Sequence, residues 1–212
     1  MRLSTGVLTL LLPLAGLLPA QTWEVGGSAG YGLYHDVSVT GPSAAGKAGF
    51  APGLAFGGLL GNNISRLVGG EIRYTFRVDD LRVSSSGQKA LAGGQSHALH
   101  YDVLIHAAGK EAAVRPFLAV GAGAKLYRGT GAEPVFQPLS NLVVLTHTRQ
   151  SEALISVGGG VKIAASRRTL VRLDFRDYAT PRPDELLALP PNVKSSGWMH
   201  DFVFLVGVGT TF

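Results

Sequence analysis

The chain predicts an all-β fold, an up-and-down antiparallel barrel of eight strands closed on itself. Three observations predict it. Eight segments place apolar and polar side chains alternately, the period of two that a strand imposes and a helix does not. The links between these segments alternate short and long. The sequence is 46% hydrophobic, with 29 glycines and only 16% charged residues. Yet beyond Ala20 it has no run of the about 20 apolar residues that a spanning helix needs. A membrane span here must therefore be built of strands, making this a transmembrane barrel.

The amino terminus is consistent with export. Arg2 precedes an apolar run from Val7 to Leu18 that Pro13 interrupts, and Leu18-Pro19-Ala20 offers a cleavage site. Residues 1–20 are expected to leave as a signal peptide, with a retained membrane anchor as the alternative, and residues 21–212 then form one barrel domain. Loss of Arg2 lowers the formal net charge from +5 to +4. The absence of cysteine excludes disulfides, thiolate metal sites and lipid attachment to an amino-terminal Cys. The basic residues are scattered rather than clustered, which argues against nucleic acid as a partner.

The first segment, Trp23 to Tyr34, sets Trp23, Val25, Ala29, Tyr31 and Leu33 against Glu24, Ser28 and glycines. Phe50 to Leu60 presents Phe50, Leu54, Phe56 and Leu60 on one side. The third, Val68 to Val83, alternates most cleanly: Ile72, Tyr74, Phe76 and Val78 against Glu71, Arg73, Thr75 and Arg77. In Ser96 to Ala108, Leu99, Tyr101, Val103 and Ile105 oppose His100, Asp102 and His106. Val114 to Tyr127 and Glu152 to Ala164 carry Arg115, Lys125 and Lys162 on faces otherwise rich in glycine. Thr169 to Tyr178 sets Val171, Leu173 and Phe175 against Arg172, Asp174 and Arg176. The last segment places Trp198, Phe202, Phe204, Val206 and Val208 on one face and ends at Phe212. Each approaches the roughly 9–11 residues of a tilted membrane-crossing strand.

The short links follow segments two, four and six: Gly61 to Arg66, Gly109 to Ala113, and Ala165 to Arg168. Short turns at one end and long loops at the other are the pattern of transmembrane barrels, the turns facing the periplasm. Closure is obligatory, because an open edge in hydrocarbon leaves unpaired amides that cost several kcal/mol each. Segments one and eight should therefore pair, with Trp23 near Phe212. Trp23 at that rim, and Tyr31, Phe50, Trp198 and Phe202 toward the other, are the expected interface aromatics.

A cleavable leader, eight amphipathic segments and a terminal Phe together resemble the superfamily of small, porin-like bacterial outer-membrane β-barrels. Arg115-Pro116-Phe117-Leu118-Ala119-Val120-Gly121-Ala122-Gly123 and Leu173-Asp174-Phe175-Arg176-Asp177-Tyr178 look like strands common there. The resemblance implies the cell outer membrane, with its lipid and the β-barrel assembly machinery as partners. It also implies that Gly207 and Phe212 form the assembly signal, although Thr210 stands where that pattern has an aromatic or large apolar residue. A non-enzymatic structural, porin-like or surface-interaction role follows.

The charged face is the nearest thing to a site. Glu71, Arg73, Arg77, His100, Asp102, His106, Arg115, Lys125, Lys162, Arg172, Asp174 and Arg176 are expected to point into the lumen as a polar network. Counting back from the turns places Arg115 beside His106 and Arg172 beside Lys162. A packed plug of paired charges is one reading, and an anion-preferring constriction is the other, since bases outnumber Glu71, Asp102 and Asp174 on this face. Small inward residues such as Gly121, Gly123, Gly158 and Gly160 would make room for the long side chains. No cofactor, metal or catalytic group is expected.

A barrel enzyme acting on lipid would need a nucleophile and base, but Ser196 and His200 stand about 13 Å apart along a strand. A secreted lipocalin-like carrier would turn its apolar face inward, the reverse of this pattern. Two loops carry unusual sequence. Phe136, Leu139 and Leu142 to Leu145 are too apolar for a solvated link, and Asp184 to Leu189 reads as a short helix capped by Asp184. They are expected to fold into a lid or to contact a protein or lipid partner.

Overall fold

The computed structural model describes residues 23–131 and 136–212. The expected leader lies outside these residues. β1 (Trp23–His35) runs to the loop end, where β2 (Val37–Thr40) and β3 (Ala45–Phe50) form a hairpin before β4 (Gly53–Asn62) returns. β5 (Val68–Val78) leads to the hairpin β6 (Leu81–Ser85) and β7 (Gln88–Ala92), and β8 (Gly94–His106) returns. β9 (Val114–Gly129), the short β10 (Val144–Leu145) and β11 (Arg149–Ala164) follow. β12 (Thr169–Thr180), β13 (Leu187–Ala188), β14 (Lys194–Ser196) and β15 (Met199–Thr211) complete the chain.

Eight of these strands close in the order β1-β15-β12-β11-β9-β8-β5-β4, every neighbour antiparallel. The seam between first and last strands is tied at its tip: the Trp23 and Phe212 amides each donate to the other's carbonyl at 3.1 Å. The apolar face is the outer one. Leu54, Ile72, Leu99, Ile105, Leu118, Val157, Phe204 and Val206 all lie exposed on the wall. That polarity is the reverse of a lipocalin-like carrier. Tyr31 and Trp198 are exposed, and Phe202 is half-buried, stacked between His200 and Phe175.

The loop end is a folded cap rather than a set of solvated links. β14-β2-β3-β6-β7 form a five-stranded sheet, and β10 pairs with β13. Between them lies an apolar core that includes Val37, Phe50, Leu81, Leu142, Leu145, Leu186 and Met199. Three sequence expectations change here. The second segment is two strands, and Phe50, fully buried at 0% exposure, stacks on Tyr127 at 4.9 Å between ring centres instead of facing an interface. The third segment breaks at Asp79-Asp80 into β5 and β6, and β6 pairs with β3 of the cap. Residues 184–189 form a turn and a short strand, not a helix: the Leu186 and Leu187 amides donate to the Pro183 carbonyl, and Asp184 pairs with Arg182.

The β6–β7 hairpin turns on Ser86 and Gly87, whose φ values of 49° and 81° are the positive pair of a tight two-residue turn. Of the apolar loop residues, Leu142, Val143 and Leu145 enter the cap core, whereas Phe136 stays 80% exposed.

Candidate functional site

Every second residue of each barrel strand points inward, so the side chains filling the lumen are set by parity. Seven cations (Arg73, Arg77, Arg115, Lys125, Lys162, Arg172, Arg176) and six carboxylates (Glu24, Glu71, Asp79, Asp102, Asp174, Asp201) are buried among the described residues. All twelve sequence-predicted network residues, His100 and His106 included, are among the buried ones. Glu24, Asp79 and Asp201 were missed, although each shares the parity of its inward neighbours. With them the charges nearly balance, and the excess of bases that suggested an anion constriction shrinks to one.

The network has two layers. Toward the turn end, Arg172 Nη1 donates to Glu24 Oε1 and Glu71 Oε2, each at 2.7 Å, and its other nitrogens reach Asp174. Arg73 donates to Glu71 at 2.8 Å and Asp174 at 3.0 Å. Arg176 donates to Asp102 at 3.1 Å and lies 3.3 Å from Asp174, while Lys162 donates to Glu24 at 2.5 Å. The Phe117 ring lies under Arg172, Arg176 and Lys162 at 5.3–5.7 Å, a face on which cations rest favourably. His100 has Nδ1 2.9 Å from Asp102 and Nε2 3.1 Å from the Tyr178 hydroxyl, which meets Thr75, and the Tyr178 ring lies 5.8 Å from Lys125 of the second layer.

Toward the cap, Asp201 takes Arg77 and Lys125, and Lys125 also donates to the Tyr34 hydroxyl at 2.8 Å. Tyr34 in turn donates to Asp79 at 2.6 Å, and Ser96 to the same oxygen at 2.9 Å. Asp79 sits just beyond β5, where burial pushes its carboxyl up to about 6.

Glycine supplies the space. A Cβ on Gly32 would fall 2.3 Å from the Arg77 guanidinium carbon, and one on Gly158 would meet the Arg176 side chain and the Phe175 carbonyl. Register modifies the counted neighbours. Arg172 does face Lys162, but His106 faces Phe117, and Arg115 faces Lys162 on its other side. Asp102 pairs across the lumen with Arg176.

The His100–Asp102 pair is sealed from solvent, so no substrate reaches it. His200 on the outer wall pairs with Asp177 at 2.8 Å, while Ser196 lies in β14 of the cap sheet. No group of three or more metal-ligating side chains occurs among the described residues.

A closed eight-stranded antiparallel barrel, apolar outside and ion-paired inside, is the fold of the small bacterial outer-membrane β-barrels. Among solved structures the chain is similar to Neisserial surface protein A, at 12% identity over 92% of this chain and 100% of that one, with a TM-score of 0.58. Looser similarity is found to the N-terminal β-barrel domain of Pseudomonas aeruginosa OprF (15% identity, 92% and 100% covered, TM-score 0.48). The same holds for Ail of Yersinia pestis (11% identity, 90% and 99% covered, TM-score 0.47). No protein-family model matches the chain, and no curated protein matches its sequence.

Proposed function

We propose that this chain is a non-enzymatic outer-membrane protein with a sealed barrel, acting as a structural or surface-presenting element rather than as a pore. The filled lumen carries the reading. A conducting channel needs water beside its lining groups, yet Arg73, Arg77, Arg172 and Arg176 are each no more than 1% exposed. Eight strands enclose a space just wide enough for side chains, and here the ion pairs occupy it. The cap core closes the loop end a second time.

The wall supports the membrane setting. β9 and β11 each have 16 residues. At a rise of about 3.3 Å and a tilt near 40° they reach roughly 40 Å, beyond the ~30 Å hydrocarbon core. Their upper ends therefore carry the cap clear of the bilayer, on the side away from the periplasm. Planar-bilayer recording of the refolded protein is the test: silence is expected, and steady unitary conductance would reject the sealed barrel.

A further inference from the structure

Of the seven buried lumen cations, Arg115 differs in its partners. Its Nε, Nη1 and Nη2 donate to the Ala108 carbonyl, Asn63 Oδ1 and the Arg66 carbonyl at 3.1, 2.9 and 3.2 Å, and it forms no direct ion pair among the described residues. Glu24 and Glu111 act on it only through space, without a direct hydrogen bond, so its charge is less closely compensated than that of the other six. It borders a cavity of about 70 Å³ at the turn end, several times the roughly 10–15 Å³ that one water needs.

The cavity wall is rich in donors and poor in acceptors. Among the described residues Lys110 makes one hydrogen bond, to the Asn63 carbonyl at 3.3 Å, leaving two of its protons uncommitted there. Arg115 retains two N–H groups beyond those committed. Ser166 Oγ already accepts from the Arg168 and Thr169 amides, so its own proton is free to donate. Glu24, the one carboxylate among the described residues of this wall, is taken up by Lys162 and Arg172.

We propose that this cavity is an oxyanion site whose ligand is a phosphate group, carried by Arg115, Lys110, Lys162 and the Ser166 hydroxyl. Lys110, Arg115 and Lys162 line the cavity, with Glu24 the one carboxylate among its described lining residues. A dianion with several acceptor oxygens suits that imbalance better than a monovalent carboxylate or halide. The site does not depend on whether the barrel conducts.

The test is calorimetric titration of the full refolded protein in neutral detergent with inorganic phosphate, against acetate and chloride at matched ionic strength. One saturable phosphate site is expected. Lys110→Ala and Arg115→Gln should each weaken it roughly tenfold or more, the loss expected for a charged hydrogen bond, while Lys89→Ala in the cap should leave it unchanged. If Arg115→Gln does not refold, Lys110→Ala decides. Phosphate no better than chloride, or wild-type binding in Lys110→Ala, would overturn the site, and acetate binding as tightly as phosphate would overturn the choice of ligand. Repeating the titration in nanodiscs with and without phosphatidic acid separates the sources. Binding unchanged by the lipid assigns the site to soluble phosphate, and its abolition by the lipid assigns it to a headgroup.

Discussion

At the scale of single residues, a buried charge persists only where its desolvation is offset by partners, and Asp174 is the plainest case. It accepts hydrogen bonds from Arg73 and Arg172 and lies 3.3 Å from Arg176. Asp174→Ala leaves three guanidinium groups short of a counter-charge, and a cost of about 3–5 kcal/mol is expected from unfolding in detergent. Asp184→Ala breaks a pair in which the carboxylate is exposed, with Arg182, and should change stability by no more than about 1 kcal/mol; equal effects of the two would contradict the plug. Asp79 gives a pH signature. Its carboxyl is held at about 6 in the fold against an ordinary 3.8, so the native state keeps a proton that the unfolded chain has lost. Its contribution is complete below about pH 4 and fades as pH rises through 6, by roughly 3 kcal/mol in all. Asp79→Asn keeps an acceptor for Tyr34 and Ser96 and should flatten that dependence. Unfolding curves at pH 4.5 and 7 that stay parallel in the two proteins would exclude Asp79 as its source.

At the scale of elements, the same alternation builds barrel strands and cap strands, and their neighbours tell them apart. Phe50 ends β3 inside the cap, whereas Phe56 on β4 is exposed on the wall. Phe50→Ala should cost about 3–5 kcal/mol through the cavity it leaves and open residues 36–52 to protease while the barrel stays intact. Phe56→Ala should leave the cap resistant. Limited proteolysis with mass spectrometry distinguishes them. The last strand has a second expected task, assembly: deleting Phe212 should cause periplasmic accumulation or degradation with secretion preserved, and unchanged membrane yield in fractionated cells would show that Gly207 and Phe212 are not being read.

At the scale of the whole molecule, the polarity is inverted relative to a water-soluble protein. Charges sit inside, apolar side chains outside, and a conventional apolar core occupies the cap. The mature chain is expected to fractionate with outer membranes and to migrate differently in detergent gels with and without heating. Recovery as a soluble periplasmic monomer would reject the membrane setting.

Strand number, face polarity and the identity of most lumen charges were legible in the sequence, because a period of two is local and each strand carries it independently. Glu71, Arg73, Arg172 and Asp174 could be assigned inward from their immediate neighbours. Pairing could not be read in this way. Whether Arg77 meets Asp102 or Asp201 depends on register and on contacts across the lumen between residues more than a hundred positions apart. Phe50 likewise shares the alternation of β4 but belongs to the cap, and four loops distant in sequence had to meet before Leu142, Leu145, Leu186 and Leu187 could bury one another. The position of Arg115, which makes no direct ion pair among the described residues, emerges only from that closed arrangement, since which side chains surround it is a property of all eight strands together.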